Sequence, residues 1–168
     1  MRKLSPLGGI VFILVLFGSC EQPTRDVATL SAKELEVVEY VLRLSYGGGR
    51  YPTGYLNFLT TTPIPNPPSE WKWKDLPDDF HKRISDLPVQ FGKASEAYLD
   101  GGQRVRQKGT HIDGYMHWVS IKRWLSDEEV EVDTGRWSRH LHGGGSTYLL
   151  QKKSGKWSIK KCVRMWVT

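Results

Sequence analysis

The stretch GYMHWVSIKRWLSDEEVEVDTGRWSRHLHGGGSTYLLQKKSGKWSIKKCVRMWV, Gly114 to Val167, decides the fold. It is rich in β-branched and aromatic residues, and LSDE, the triple glycine and SGK interrupt it at short intervals, which are hairpin signals. The pattern predicts four strands, Gly114 to Trp124, Glu129 to His142, Gly145 to Lys153 and Lys156 to Val167, meeting as an antiparallel meander.

Within that run, RHLHGGGSTY (Arg139 to Tyr148) admits three readings: a metal clip, a phosphate cradle or a turn. A phosphate loop needs a Lys and a hydroxyl opening a helix, and this stretch leads into a strand. A zinc site needs about three or four ligands, and His140 with His142 offers two. The expectation is therefore a tight turn made by the glycines, with no metal and no cofactor. Strand parity adds a detail. Val130 and Val132 share a face, and an unbroken strand would leave Trp137 and Leu141 on the other, so a bulge at Thr134-Gly135 is expected to return both to the apolar side and turn His140 and His142 outward.

Upstream, Ser31 and Glu34 form a capping-box pattern, with Leu30 and Leu35 placed as a staple. Leu35, Val38, Val41 and Leu42 recur at helical spacing, predicting an amphipathic helix over 32–46 that stops at Gly47 through a left-handed glycine. Tyr55 to Thr61 reads as a short strand. The proline-rich 62–74, with Pro65 and Pro68 spaced as PxxP, reads as a surface loop pinned by Trp71 and Trp73. A second short helix is expected over 75–86, entered through Pro77, acidic at its start, with Phe80, Ile84 and Leu87 as its stripe. Helices followed by a meander give an α+β class, two helices packed on one face of a curved antiparallel sheet.

Trp118, Trp124, Gly144, Gly145, Tyr148, Gly155, Trp157, Ile159, Trp166 and Val167 carry a resemblance to bacterial lipoproteins with an NTF2-like, or cystatin-like, domain. It covers the C-terminal third of the chain best. It implies a fold with a cavity between helix and sheet, and little about function, because that fold hosts enzymes and binding modules alike.

The chain opens with Arg2 and Lys3, an apolar run from Leu7 to Phe17, and Gly18-Ser19-Cys20. That is a signal-peptide pattern, shorter than the roughly 20 apolar residues of a membrane-spanning helix. The small pair before Cys20 resembles a lipobox, with Phe17 where Leu is usual. The expected organisation is a lipoprotein signal over 1–19, lipidation at Cys20, a tether over 20–30 and one α+β domain over 31–168. Localisation is then extracytoplasmic, on a bacterial membrane. Net charge is +6 for the chain, and losing Arg2 and Lys3 lowers it to +4. The lysines of the last strands face an acidic strand, which reads as sheet pairing and not as a nucleic-acid footprint. With Cys20 lipidated, Cys162 stands alone and no disulfide is expected.

An NTF2-like enzyme would need an acid or base deep in that cavity. His117, on the face of Val119 and Ile121, is the best candidate, with Asp113 and Tyr115 the other polar residues on that parity nearby, and a core histidine with satisfied nitrogens is the competing reading. Five of the seven tryptophans fall on predicted strands, as sheet-stabilising core. The sequence therefore points to a membrane-tethered, non-catalytic domain binding a protein or small molecule, with an enzyme built around His117 as the alternative.

Overall fold

The structure is a computed structural model describing residues 28–47, 56–62, 73–101, 104–139 and 142–167. In chain order these form α1 (Ala32–Tyr46), β1 (Leu56–Thr60), α2 (Asp78–Arg83), β2 (Phe91–Lys93), a 3-10 turn (Ala94–Glu96), β3 (Ala97–Asp100), β4 (Arg104–Gln107), β5 (Gly114–Ser126), β6 (Glu129–Arg139), β7 (His142–Lys153) and β8 (Lys156–Val167). The class is α+β. Cys20 and the tether up to residue 27, the four prolines of the 62–74 loop, Trp71, His140 and Leu141 lie outside the described residues.

Helix α1 begins as its sequence predicts. The Ser31 hydroxyl accepts from the Glu34 N–H at 3.3 Å, and the Glu34 carboxylate accepts from the Ser31 N–H at 2.7 Å, satisfying donors that the first turn leaves orphaned. Its end differs from expectation. Gly47 has φ −75° and donates to Arg43 O at 2.7 Å, so this glycine is right-handed. Helix α2 is shorter than 75–86, because Asp75 is drawn into a bridge with Thr60 before the helix starts. Its entry through Pro77 and its Asp78-Asp79 start are as the sequence indicates.

The six-stranded sheet runs β2-β1-β5-β6-β7-β8, and β3 pairs with β4 in a separate two-stranded sheet. The C-terminal four strands form the expected antiparallel meander, but β1 pairs in parallel with both β2 and β5. The sheet is therefore mixed, mostly antiparallel. Parallel pairing requires a crossover, which the sequence hid in weakly periodic segments.

Each face of the sheet has its own cover. Val37, Val38, Val41, Leu42 and Tyr46 of α1 pack with Phe80 and Ile84 against Leu59, Val119, Val130, Val132 and Leu150. On the opposite face, Phe58 and Met116 pack with Ala94, Ala97 and Val105 beneath the β3-β4 hairpin. Burying a large apolar side chain contributes about 1.5 to 3 kcal/mol, so both layers matter to stability.

This second cover overturns the expected bulge at Thr134-Gly135. Residues 134 to 137 pair in unbroken register with β5 on one side and β7 on the other. Trp137 needs no bulge, because it packs on the hairpin-covered face. The parity break lies across the ladder, in β5, where register slips between Ile121 and Arg123.

The triple glycine is also not a turn. It lies inside β7, Gly143 opposite Trp137 and Gly145 opposite Gly135, so the hairpin reverses upstream of it, between Arg139 and His142. A side chain at Gly143 would meet the Trp137 ring at 2.6 Å, and one at Gly145 would meet the Trp166 indole at 2.9 Å. Gly143 and Gly145 leave room for those rings.

Strand β8 is the edge on the meander side. It carries Lys156, Lys160, Lys161 and Arg164, and register slips opposite Thr147/Tyr148 and Leu149/Leu150 insert extra residues into it. Through these slips Cys162, exposed, falls opposite Tyr148, on the face of Ile159 and Met165. Opposite charges do meet across strands, Lys160 with Glu129 and Lys122 with Glu131, the latter at 3.0 Å.

Candidate functional site

His117 sits on β5 at the inner face, 5% exposed. Leu59 of β1 and Arg136 of β6 pair with it on either side. Rings of Tyr46, Phe91 and Tyr115 surround it at centroid distances of 5.3, 5.6 and 6.0 Å. The Tyr46 hydroxyl contacts Nδ1 and lies 2.9 Å from Nε2, and Asn57 Oδ1 lies 3.1 Å from Nε2. Asn57 Oδ1 only accepts, so Nε2 carries the hydrogen and Nδ1 accepts from Tyr46. Burial, and then the nearby Arg136 guanidinium, push the His117 pKa down to about 3. Desolvation disfavours the charged imidazolium. His117 is thus a neutral, hydrogen-bonded tie between α1, β1 and β5.

That geometry does not suit general-base work, which needs a nitrogen open to substrate and a pKa near the operating pH. Asp113 is the nearest acid on its strand parity, and it is turned away: its carboxylate accepts from Arg106 Nε at 3.1 Å.

His142 of the hairpin belongs to a different place from this centre, lining a cleft at the end of the sheet. His142 is exposed and lies 3.2 Å from Arg139 Nη2. Among the described residues, no three His, Cys, Asp or Glu side chains converge in a way that holds a metal.

A cleft of about 230 Å³ opens at the end of the sheet, between β4 and the β5-β6-β7 edge, lined by Arg104, Asp113, Tyr115, Ser138, Arg139 and His142. Ser138 is buried, 6% exposed. Arg106 satisfies Asp113 and also Asp100, the latter at 2.8 Å. Among the described residues no carboxylate pairs with Arg104 or Arg139, whereas Arg43, Arg83, Arg106 and Arg123 each meet one. Sequence reasoning missed this cleft. Arg104 lies in the weakly patterned middle of the chain, and Arg139 reads only as a neighbour of the histidines.

Comparison with family models, with curated proteins and with solved structures finds no match to this chain. No helix among the described residues is long and apolar enough to cross a membrane.

Proposed function

We propose that this chain is a lipoprotein tethered to a bacterial membrane through Cys20, on the extracytoplasmic side, whose NTF2-like domain acts by binding a ligand and not by catalysis. The observation that carries the binding half is the state of His117: the side chain on which an enzymatic reading depends is neutral, with both nitrogens engaged. The α+β layering, with a helix laid on a mostly antiparallel sheet, supports an NTF2-like fold. The tether rests on the sequence, a charged start, a short apolar run and Gly18-Ser19-Cys20. More than one acyl chain on Cys20 gives stable anchorage, at about 0.8 kcal/mol per buried methylene.

Metabolic labelling with a fatty-acid probe tests the tether. Wild type takes up label and fractionates with membranes, and Cys20→Ser loses both. Equal labelling of wild type and variant would refute lipidation at this residue. The enzymatic alternative is tested at His117, since it requires His117→Gln to abolish a turnover that wild type shows.

A further inference from the structure

The cleft at the end of the sheet is lined by two arginines against one aspartate. Arg104, Arg139 and Asp113 line it, and behind Asp113 stands Arg106, which is also paired with Asp100. Arg106 takes both aspartates, and Arg104 and Arg139, which meet no carboxylate among the described residues, line one concavity. Arg136, one strand-face away, lies over the Tyr115 ring at 5.7 Å and adds positive potential. Guanidinium groups present fixed forks of N–H donors that match the oxygen geometry of carboxylate and phosphate. The buried Ser138 side chain lines the wall between them, and a serine hydroxyl can also donate.

We propose that this cleft binds a small oxyanion, a phosphate or carboxylate group, clamped between Arg104 and Arg139. The proposal rests on the reading of this chain as a binding domain and gives that reading a ligand class and a place. Arg104 is supplied by β4 and Arg139 by the end of β6, so the two cations approach from different sheets. His142 accepts from Arg139 and holds its guanidinium at the rim. Asp113 does not repel the ligand as a bare carboxylate would, because Arg106 neutralises it in place. The volume is below the roughly 300 to 1,000 Å³ of sites that engulf a drug-sized molecule. What enters is a small anion, or the anionic end of a larger one.

The test is titration calorimetry on the full-length chain in detergent, with inorganic phosphate in one arm and succinate in the other. Wild type is expected to bind at least one of them saturably, and the arm that binds names the anion. Arg104→Gln and Arg139→Gln should each weaken that binding about tenfold or more, the range for losing a charged hydrogen-bond partner. Arg139→Lys keeps the charge and loses the fork, so an intermediate loss is expected. Arg164→Gln, on the exposed edge strand, removes the same charge elsewhere and should leave affinity within about twofold, as screened distant charges do. Absence of saturable binding in both arms overturns the proposal. Equal weakening by Arg164→Gln overturns it too, since the attraction would then be diffuse. Fatty-acid labelling of Cys20 is read separately: a labelled chain that binds neither anion sinks the cleft and leaves the tether standing, and an unlabelled chain that binds does the reverse.

Discussion

Trp118 and Trp166 stack with ring centroids 5.9 Å apart and planes 18° apart, although β6 and β7 run between their strands. The register explains it, since Trp118 pairs with Gly135, Gly135 with Gly145, and Gly145 with Trp166. Strands lie about 4.8 Å apart, so three steps separate the two backbones by roughly 14 Å. Only a row without side chains in its middle lets the indoles lean inward until they meet.

Gly135→Val should therefore destabilise the protein by about 1 to 3 kcal/mol, the range for overpacking. A Cβ there would collide with the Trp118 ring, lying 2.5 Å from its Cη2, and would sit 2.6 Å from Gly144 O. Urea unfolding measures the loss. Combining the change with Trp118→Leu should cost less than the two single changes summed, because the smaller side chain relieves the clash; strict additivity would count against the packing row.

The state of His117 sets a pH dependence. Its folded pKa, about 3, lies below the unfolded value of about 6.5. A depressed histidine pKa means that the unfolded chain binds the proton first. Stability is then complete above about pH 6.5 and is lost as pH falls toward 3, with a slope approaching 1.4 kcal/mol per pH unit at about its steepest. Urea midpoints across that window should show a loss that His117→Phe reduces. A variant as acid-sensitive as wild type would show that other groups govern it.

Asp75 is fully buried and accepts from the Ser95 N–H at 2.8 Å and its hydroxyl at 2.7 Å. Asp75→Ala leaves those donors unanswered in the interior, at a cost of about 1 to 3 kcal/mol. Ser95→Ala, which keeps the backbone bond, should cost less. Thermal melts of the two variants rank them, and the opposite order would place the main role of Asp75 elsewhere.

His142→Ala removes an exposed ring, and the stability change should stay within about 0.5 kcal/mol. Elemental analysis gives the second readout. One zinc per chain in wild type, lost in this variant, would reinstate a metal site at the hairpin.

Legibility followed the strength of local signals. Helix α1 and its capping box were plain in the chain, because Ser31, Glu34 and the apolar stripe act over a few residues. Strand β8 reads over its full length for the same reason. The parallel pairing of β1 was not legible, since it is made by contacts distant in sequence. Parity at Trp137 misled because one-sided burial was assumed, while the β3-β4 hairpin covers the second face. Of the sites, His117 was found by its strand face and its neutrality emerged only with Tyr46 and Asn57 in place. The arginine cleft joins residues from β4 and β6 that no spacing connects.

The charges along β8 also govern how copies of this chain meet in a crowd. Suppose a second copy lined up antiparallel along β8. With Cys162 on the two-fold axis, Lys160 would face Arg164 of the other molecule, and shifting the axis to Lys161 or Lys160 sets lysine against lysine. No acid lies on the strand to answer them. Lys160 is already committed to Glu129, and the extra residues in β8 spoil the straight ladder a newcomer would need. Open-ended stacking of sheets into fibres is thereby discouraged at the one place where the meander ends, and the exposed Met165 and Val167 can stay in water without recruiting a neighbour through the backbone.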